Sequence, residues 1–407
     1  MKLKKLFTLM AVAGITLPGV AMATNGMFAD GYGMVAAGMG GAATAMSEDA
    51  FGGANNPASM VFVGDRIDFG ASLFSPRREA TSMDFGAGNG SSTTIQSDKN
   101  YFVVPEFGYN KMMSKDLSLG VTVYGNGGMN TDYAAGSNNI NMYGNTGRLG
   151  VDLVQLVIAP TAAYKIAPNH SIGISPLIGY QRFKADGVLS DNANGNGTGN
   201  SINPGYDDAF GYGVRIGYMG KITPDFTIGA SYSTKVKMQK FDKYATTLFA
   251  TGNGALDLAE NYSLGVAYKV MPDLTMALDY TRINYGDVAS IGTSTAQRGF
   301  GWNGIDVWKL GAEYKYSKAW TMRAGWNHGD NPINAADAFS NIIAPGVIKD
   351  HLTMGTTYAT STGGELTIAY THGFENSITG PNAAVPSSMT TIRMHQDILG
   401  VAYGWKM

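Results

Sequence analysis

Two pairs of neighbouring residues carry the side-chain types used in nucleophilic and acid–base catalysis. His170 precedes Ser171, and Asp350 precedes His351. A catalytic base must lie within hydrogen-bond reach of its partner, whereas consecutive residues of a strand point to opposite faces. Both pairs fall in or beside segments with an alternating pattern, so we expect neither pair to form a catalytic constellation.

The composition offers no other reactive centre. The chain of 407 residues holds five histidines and no cysteine, and the histidines are too scattered for the ligand spacing of a metal site. A net charge of −2 gives no reason to expect a nucleic acid partner. We therefore expect a protein that is not an enzyme and that uses no cofactor and no metal.

The first residues predict export. In residues 1–23, three lysines precede a short apolar stretch, and the small residues Ala21 and Ala23 stand where a signal peptidase site requires them. We expect a signal peptide over residues 1–23, cleaved before Thr24. Without cysteine, no disulfide can stabilise the exported chain.

Most of the remaining chain alternates between apolar and small polar residues. The pattern is clear in residues 226–234 (FTIGASYST), 261–270 (NYSLGVAYKV) and 306–316 (DVWKLGAEYKY), and a period of two indicates β-strands. A soluble β-sandwich also alternates, but its polar face usually carries many charges. Here that face is largely Gly, Ser and Thr, and only 15% of the chain is charged. An apolar band with aromatic girdles around a polar interior is typical of a membrane β-barrel.

A recurring tag marks the turns of this barrel. An aromatic–basic pair and a turn containing Pro, Asp or Ser recur in residues 163–174, 217–230, 267–278 and 313–325, each followed at once by renewed alternation. Tyrosine suits the headgroup level and lysine can extend its ammonium out of the apolar zone. We interpret each tag as a strand that reaches the periplasmic side and turns back.

These turns predict an all-β fold, a transmembrane antiparallel β-barrel of about fourteen strands that spans residues 61–407. We expect the strands near 61–79, 98–112, 116–126, 148–166, 170–186, 206–222, 225–239, 257–270, 273–286, 303–316, 319–329, 349–361, 364–375 and 391–407.

Residues 24–60 precede the first predicted strand. They are rich in Gly and Ala and show neither good strand alternation nor a charged helical face. Such small residues can pack tightly, so we predict an N-terminal hatch, or plug, inside the lumen. A flexible periplasmic tail is the alternative.

Five stretches, in this order, resemble the bacterial outer-membrane long-chain fatty acid transporters (the FadL type, which includes transporters of toluene and xylene). They are residues 38–60, 118–133, 240–250, 308–333 and 350–361. The resemblance covers the whole mature chain. It implies a fourteen-stranded barrel with a hatch, in which hydrophobic solutes enter from an outer groove and leave sideways through a gap at a kink in the third strand.

The resemblance also assigns particular residues. Asn56, Pro57 and Ala58 match the Asn-Pro-Ala of the family's hatch and would take part in gating, although Asn-Pro also favours an ordinary turn. The kink would fall at Tyr124, Gly125 and Asn126, where glycines weaken the strand. The start of a flexible external loop would explain the same glycines.

An external loop and a set of charged residues complete the candidate sites. Phe241, Tyr244, Leu248 and Phe249 recur at helical spacing, and exposed apolar residues on a loop mark an interaction surface. We interpret this loop as one that captures solute; packing against other loops is the alternative.

By the alternating register, five charged residues should face the lumen. Inward charges in a barrel either pair with each other or contact a passing solute. A basic residue could hold a carboxylate, and Lys309 could equally form a structural pair with Asp279 on the neighbouring strand. The five residues are Arg215, Asp279, Lys309, Glu313 and Arg323.

Together these observations predict a bacterial outer-membrane, porin-like channel for passive uptake of hydrophobic solutes. Long-chain fatty acids are the expected substrates, with aromatic hydrocarbons as one alternative and a structural or adhesive barrel as another. We expect outer-membrane lipid and the barrel assembly machinery as partners, and a monomeric protein.

Overall fold

In the computed structural model, which describes residues 24–46, 48–191, 199–297 and 299–407, fourteen long antiparallel strands close into a barrel. The predicted fold class is thereby confirmed. The predicted signal peptide lies outside the described residues. The wall strands are β1 (Arg66–Met83), β2 (Phe102–Met112), β3 (Leu117–Gly127), β4 (Leu149–Ala167), β5 (His170–Asp186), β6 (Asp207–Lys221), β7 (Phe226–Ser233), β8 (Asn261–Met271), β9 (Leu274–Ile283), β10 (Ile305–Lys315), β11 (Trp320–Gly329), β12 (Asp350–Ala359), β13 (Gly364–Pro381) and β14 (Met389–Lys406).

Each wall strand pairs with its neighbours in chain order, and the last pairs with the first. The closing ladder runs from Arg66 opposite Lys406 to Thr81 opposite Thr391. Short turns join the strands at one end of the barrel and long loops join them at the other, as the tags predict. The long loops carry short strands of their own at Ser92–Gln96, Asn130–Tyr133, Leu189–Ser190, Ser201–Ile202 and Lys237–Met238. None of the helices in the described ranges is long and apolar enough to span a bilayer.

The two faces of the wall follow the alternating sequence. In β8 the side chains of Leu264 and Tyr268 are exposed, whereas Ala267 between them is buried. In β10 Trp308 is exposed and Glu313 is buried. An outer face of large apolar side chains suits lipid, and the inner face is left to small and polar groups.

Observed strand limits differ from the predicted ones where the neighbouring segments have their own structure. β1 begins at Arg66, because Pro57–Ser59 forms a 3-10 turn and Met60–Val63 forms a helical turn. Gly64 then ends this turn with a φ of 82°. β13 continues to Pro381 because its upper part keeps pairing with β14 after an irregularity between Gly373 and Asn376.

Residues 24–46 and 48–63, which we call the hatch, fill the lumen. Their short helices are Met34–Gly38, Gly52–Asn55 and Met60–Val63, and most of their side chains are buried. The fit depends on glycines in the wall. A Cβ at Gly229 would lie 2.0 Å from the Thr44 carbonyl oxygen, so a larger residue there would push the hatch away.

Candidate functional site

The wall has a break between β2 and β3. Their ladder runs from Met112 opposite Ser118 to Phe107 opposite Val123 and stops there. Closer to the long loops, Phe102 still pairs with β1. In this part of the wall β2 and β3 are not paired with each other. An isolated bridge between Ser97 and Tyr133 lies in the chain segments above the break. We call this break in the wall, bordered by residues 102–106 and 124–127, the window.

A bulge in β3 forms one side of the window. The pairing of β3 with β4 shifts register between Gly125 and Gly127, so that Asn126 is the extra residue. Gly127 has a φ of 147°, a conformation that side-chain-bearing residues rarely adopt. The structure therefore places the predicted kink residues Tyr124, Gly125 and Asn126 at the edge of the window.

The hatch contacts both sides of the window. The Tyr32 phenol donates to Asn126 Oδ1 of β3 at 2.7 Å, and its ring lies 4.2 Å from the Tyr124 ring. The next residue, Gly33, donates its backbone N–H to Glu106 Oε2 of β2 at 3.1 Å. Burial raises the pKa of Tyr32 well above its usual range, so its proton stays available for this bond. We call the Tyr32–Asn126 contact the latch.

The Asn-Pro-Ala segment fixes the hatch to a different part of the wall. Asn56 is fully buried, and its Nδ2 donates to the carbonyl oxygens of Thr44 at 2.7 Å and Tyr218 at 2.9 Å. The Ala58 carbonyl accepts from Ser171 Oγ at 2.8 Å. These contacts lie at β5 and β6, so Asn56, Pro57 and Ala58 anchor the hatch and do not border the window.

Three of the five predicted lumen charges contact the hatch backbone. Asp279 Oδ2 accepts the N–H groups of Ala43 at 2.9 Å and Thr44 at 2.8 Å. Lys309 Nζ donates to the Asp30 carbonyl at 2.6 Å. Lys309 stands opposite Asp279 in the strand register, but within the described ranges the two make no ion pair.

Of the other three predicted lumen charges, Arg215 contacts the hatch, whereas Glu313 and Arg323 pair with each other. Arg215 Nη1 donates to the Ala54 carbonyl and to the Tyr124 hydroxyl. Glu313 and Arg323 form a buried ion pair with a distance of 2.8 Å, and Arg323 also donates to Thr357 Oγ1. The last two charges are thus mutually neutralised.

A buried arginine, Arg78, lies on the lumen face of β1 near the end of the barrel that carries the long loops. Arg78 is 5% exposed, and its Nε and Nη2 atoms have no hydrogen-bond partner. Its guanidinium carbon lies 5.6 Å from the centre of the Phe102 ring. The other residues that line the same small cavity are mostly apolar and include Met27, Phe74, Met129, Trp302 and Met394. We call this cavity the Arg78 chamber.

The predicted capture loop is built differently from the expectation. Phe241, Tyr244 and Phe249 are fully buried and Leu248 is half-buried. The three aromatic rings pack around Phe183 of β5 with centroid distances of 5.7, 4.9 and 4.8 Å. The expectation that these side chains are exposed was wrong, because the loop folds as 3-10 turns that bury the three rings. The capture of solute by this loop stays a prediction.

Sequence reasoning missed Arg78, Tyr32 and Glu106. Arg78 shares its phase with the inward Phe74 of β1, so the register of that strand was a usable signal. Tyr32 lies in a segment without alternation, and no local pattern connects it with Asn126.

The fold of this chain is similar to the folds of solved transport proteins. A comparison with curated proteins finds no match. The toluene transporter TodX of P. putida is 18% identical with a TM-score of 0.69, covering 93% of this chain and 99% of its own. A FadL homologue of Pseudomonas aeruginosa is 14% identical with a TM-score of 0.70, covering 94% and 99%. The toluene transporter TbuX of Ralstonia pickettii is 18% identical with a TM-score of 0.67, covering 93% and 99%.

At these identities the structural likeness shows the fold alone. The sequence itself gives the relationship, since the profile described as "Outer membrane protein transport protein (OMPP1/FadL/TodX)" matches residues 10–404. The chain therefore belongs to this family of outer-membrane transport proteins.

Proposed function

We propose that the protein is a passive channel for the uptake of long-chain fatty acids across the outer membrane. Solute enters from the loop side, places its carboxylate in the Arg78 chamber, passes the hatch and leaves through the window into the bilayer. The predicted signal peptide, cleaved before Thr24, directs the chain to this membrane. The family consists of transport channels, which agrees with the expectation that no catalysis takes place.

A sideways exit suits a solute with a long apolar chain. Such a solute is barely soluble, so a route that ends in the periplasm would expose its apolar surface to water. The cost is about 25 cal/mol for each Å² of that surface. A window in the wall returns the chain to lipid, and no energy source is required for movement down a gradient.

The Arg78 chamber is the observation that favours a carboxylate-bearing solute. A buried guanidinium without an acidic partner is costly, and among the described residues none forms an ion pair with Arg78. Its unpaired Nε and Nη2 atoms can donate two parallel hydrogen bonds to one carboxylate. The apolar lining of Phe74, Met129 and Met394 suits the methylene groups next to that carboxylate.

Replacing Arg78 by methionine should weaken oleate binding and leave methyl oleate binding unchanged. Methionine keeps much of the side-chain volume but donates no hydrogen bond. Hydrogen bonds to charged groups contribute about 1.5–3 kcal/mol, which predicts a loss of oleate affinity of about tenfold or more. Equilibrium binding to the purified protein in detergent measures both affinities, and Arg78→Lys should recover part of the loss.

Aromatic hydrocarbons are the second candidate class. The same chamber contains Trp302, with Phe102 beside it, and such rings pack well against an uncharged aromatic solute. If Arg78→Met lowers neither oleate nor methyl oleate binding, or if toluene binds the wild-type protein better than oleate, the hydrocarbon function is the correct one.

A further inference from the structure

We propose that Arg77, on the lipid face of β1, receives the carboxylate of a solute that leaves through the window. Arg77 and Arg78 are consecutive residues of one strand, so their side chains lie on opposite faces of the wall. Arg77 shares the phase of the exposed Leu73, and Arg78 shares that of the buried Phe74. This inference rests on the proposed uptake of fatty acids and adds a carboxylate site outside the lumen.

Each of the two arginines packs against a ring at the loop-side end of β2. The Arg78 guanidinium carbon lies 5.6 Å from the centre of the Phe102 ring. The Arg77 guanidinium carbon lies 5.0 Å from the centre of the Tyr101 ring, and its Nη2 donates to the Tyr101 hydroxyl at 2.6 Å. Phe102 borders the window, so the two cations lie beside the break in the wall, one on each face.

The charge of Arg77 is not balanced by an acid. Among the residues that the structure describes, no carboxylate forms an ion pair with it. Its neighbour in the register of β14 is His395, and Glu79, two residues along β1, lies 3.7 Å from Arg393. Tyr101 is 64% exposed, and a carboxylate is a stronger partner for a guanidinium than a phenol is. An anion that comes through the window can therefore bind Arg77 in place of Tyr101.

The Arg78 chamber lies behind the same part of the wall. Its lining includes residues 128–131, which continue the chain from the window border at 124–127. A carboxylate that leaves Arg78 loses its hydrogen bonds, and an unpaired carboxylate in hydrocarbon is costly. Arg77 offers a replacement on the next residue, whose Cα is about 3.8 Å away. Tyrosines lie at the level of the lipid head groups, so the carboxylate can stay beside Tyr101 while the hydrocarbon chain enters the bilayer.

Arg77→Met tests this site by separating exit from binding. In cells that carry this variant, oleate uptake at saturating concentration should fall about threefold to tenfold, because one partly exposed, charge-assisted contact is lost. The oleate concentration at half-maximal uptake should change less than about twofold, because the Arg78 chamber is intact. Uptake of methyl oleate should stay at the wild-type rate, because that solute carries no charge. Heat-modifiable migration on gels reports that the barrel is assembled.

Two further variants control the test. Arg393→Met removes an exposed arginine from β14, on the side of β1 away from the window, whose charge is balanced by Glu79 and Glu375 at 3.7 and 3.6 Å. It should leave oleate uptake unchanged. Arg77→Gln keeps a polar side chain but no charge, and it should give the same selective loss of oleate uptake if Arg77→Met does not assemble.

The phosphate group of a membrane lipid is the other anion that Arg77 could bind. In that case Arg77→Met would lower oleate and methyl oleate uptake equally, because both solutes leave past the same lipid. That result, or unchanged uptake of both solutes, would overturn the proposed role of Arg77. Arg78→Met separates this failure from failure of the proposed function: if Arg78→Met lowers oleate binding as expected, only the outer site is wrong.

Discussion

Replacing Gly217 by valine is expected to unseat the hatch while the barrel still assembles. A Cβ at this position would lie 2.0 Å from Asn56 Oδ1 and 2.8 Å from the Pro57 ring. The valine side chain on the inward face of β6 would then displace Asn56, whose amide donates hydrogen bonds to the Thr44 and Tyr218 carbonyl oxygens. Loss of these two hydrogen bonds alone weakens hatch seating by about 1–3 kcal/mol, before the steric clash is added.

An unseated hatch leaves a wide lumen open to water. Cells that carry Gly217→Val should therefore become sensitive to large hydrophilic antibiotics such as vancomycin, by about tenfold or more. Gly173→Val should act in the same way, because its Cβ would lie 2.4 Å from the Pro57 carbonyl carbon. Ala162→Val is a matched control, since Ala162 is half-buried on β4 and borders a groove of outward-facing apolar residues.

The measurements are heat-modifiable migration for assembly and antibiotic sensitivity for the open lumen. If Gly217→Val assembles and remains as impermeable as Ala162→Val, the Asn-Pro-Ala segment does not hold the hatch in place. A variant that fails to assemble would instead show that hatch and wall fold together, and Gly173→Val would then decide the point.

The barrel was predictable from sequence because its strands obey one local rule. Each wall strand alternates between lipid and lumen, so even the half-exposed β8 and β10 carry a readable period. The start of the first strand was predicted too early, before Arg66. The preceding turns at residues 57–63 continue an apolar pattern but are not part of a strand. The end of β13 was also predicted too early, because this strand runs on to Pro381 into a loop rich in small residues.

The candidate site was harder to predict because it consists of contacts between distant segments. The glycines in β3 indicated a weak point, and the ladder with β2 ends at Val123, two residues before Gly125. The latch joins Tyr32 to Asn126, and no periodicity relates those positions. The expected exposure of the aromatic loop was wrong for a related reason. Phe241 and Phe249 pack against Phe183, a residue remote in sequence.

Covalently joining the hatch to β3 across the latch is expected to abolish solute exit. The native chain has no cysteine, so Tyr32→Cys with Asn126→Cys provides the only two thiols. Before cross-linking, this variant lacks the 2.7 Å latch bond and should transport oleate about twofold to tenfold faster than wild type, as expected for one lost hydrogen bond. A short reducible bismaleimide then fixes the hatch to the side of the window.

Cross-linking should turn the faster oleate transport of this double-cysteine variant into slower transport. Pinned by the reagent, the window cannot open, and oleate uptake should fall at least about tenfold below wild type. A reductant that cuts the spacer should restore the fast rate. Ser82→Cys with Thr390→Cys is the matched control, because those side chains lie 2.9 Å apart on β1 and β14, strands that are already paired, and joining them should leave uptake unchanged.

The result distinguishes two routes for the solute. A pinned channel that still transports oleate at the wild-type rate would show that the solute runs past the hatch to the periplasm, and the sideways exit would be wrong. The channel function and the role of the Arg78 chamber would stand in that case, because both concern steps before the exit. Loss of uptake on pinning and recovery on release would show instead that the hatch has to part from Asn126 each time a solute leaves.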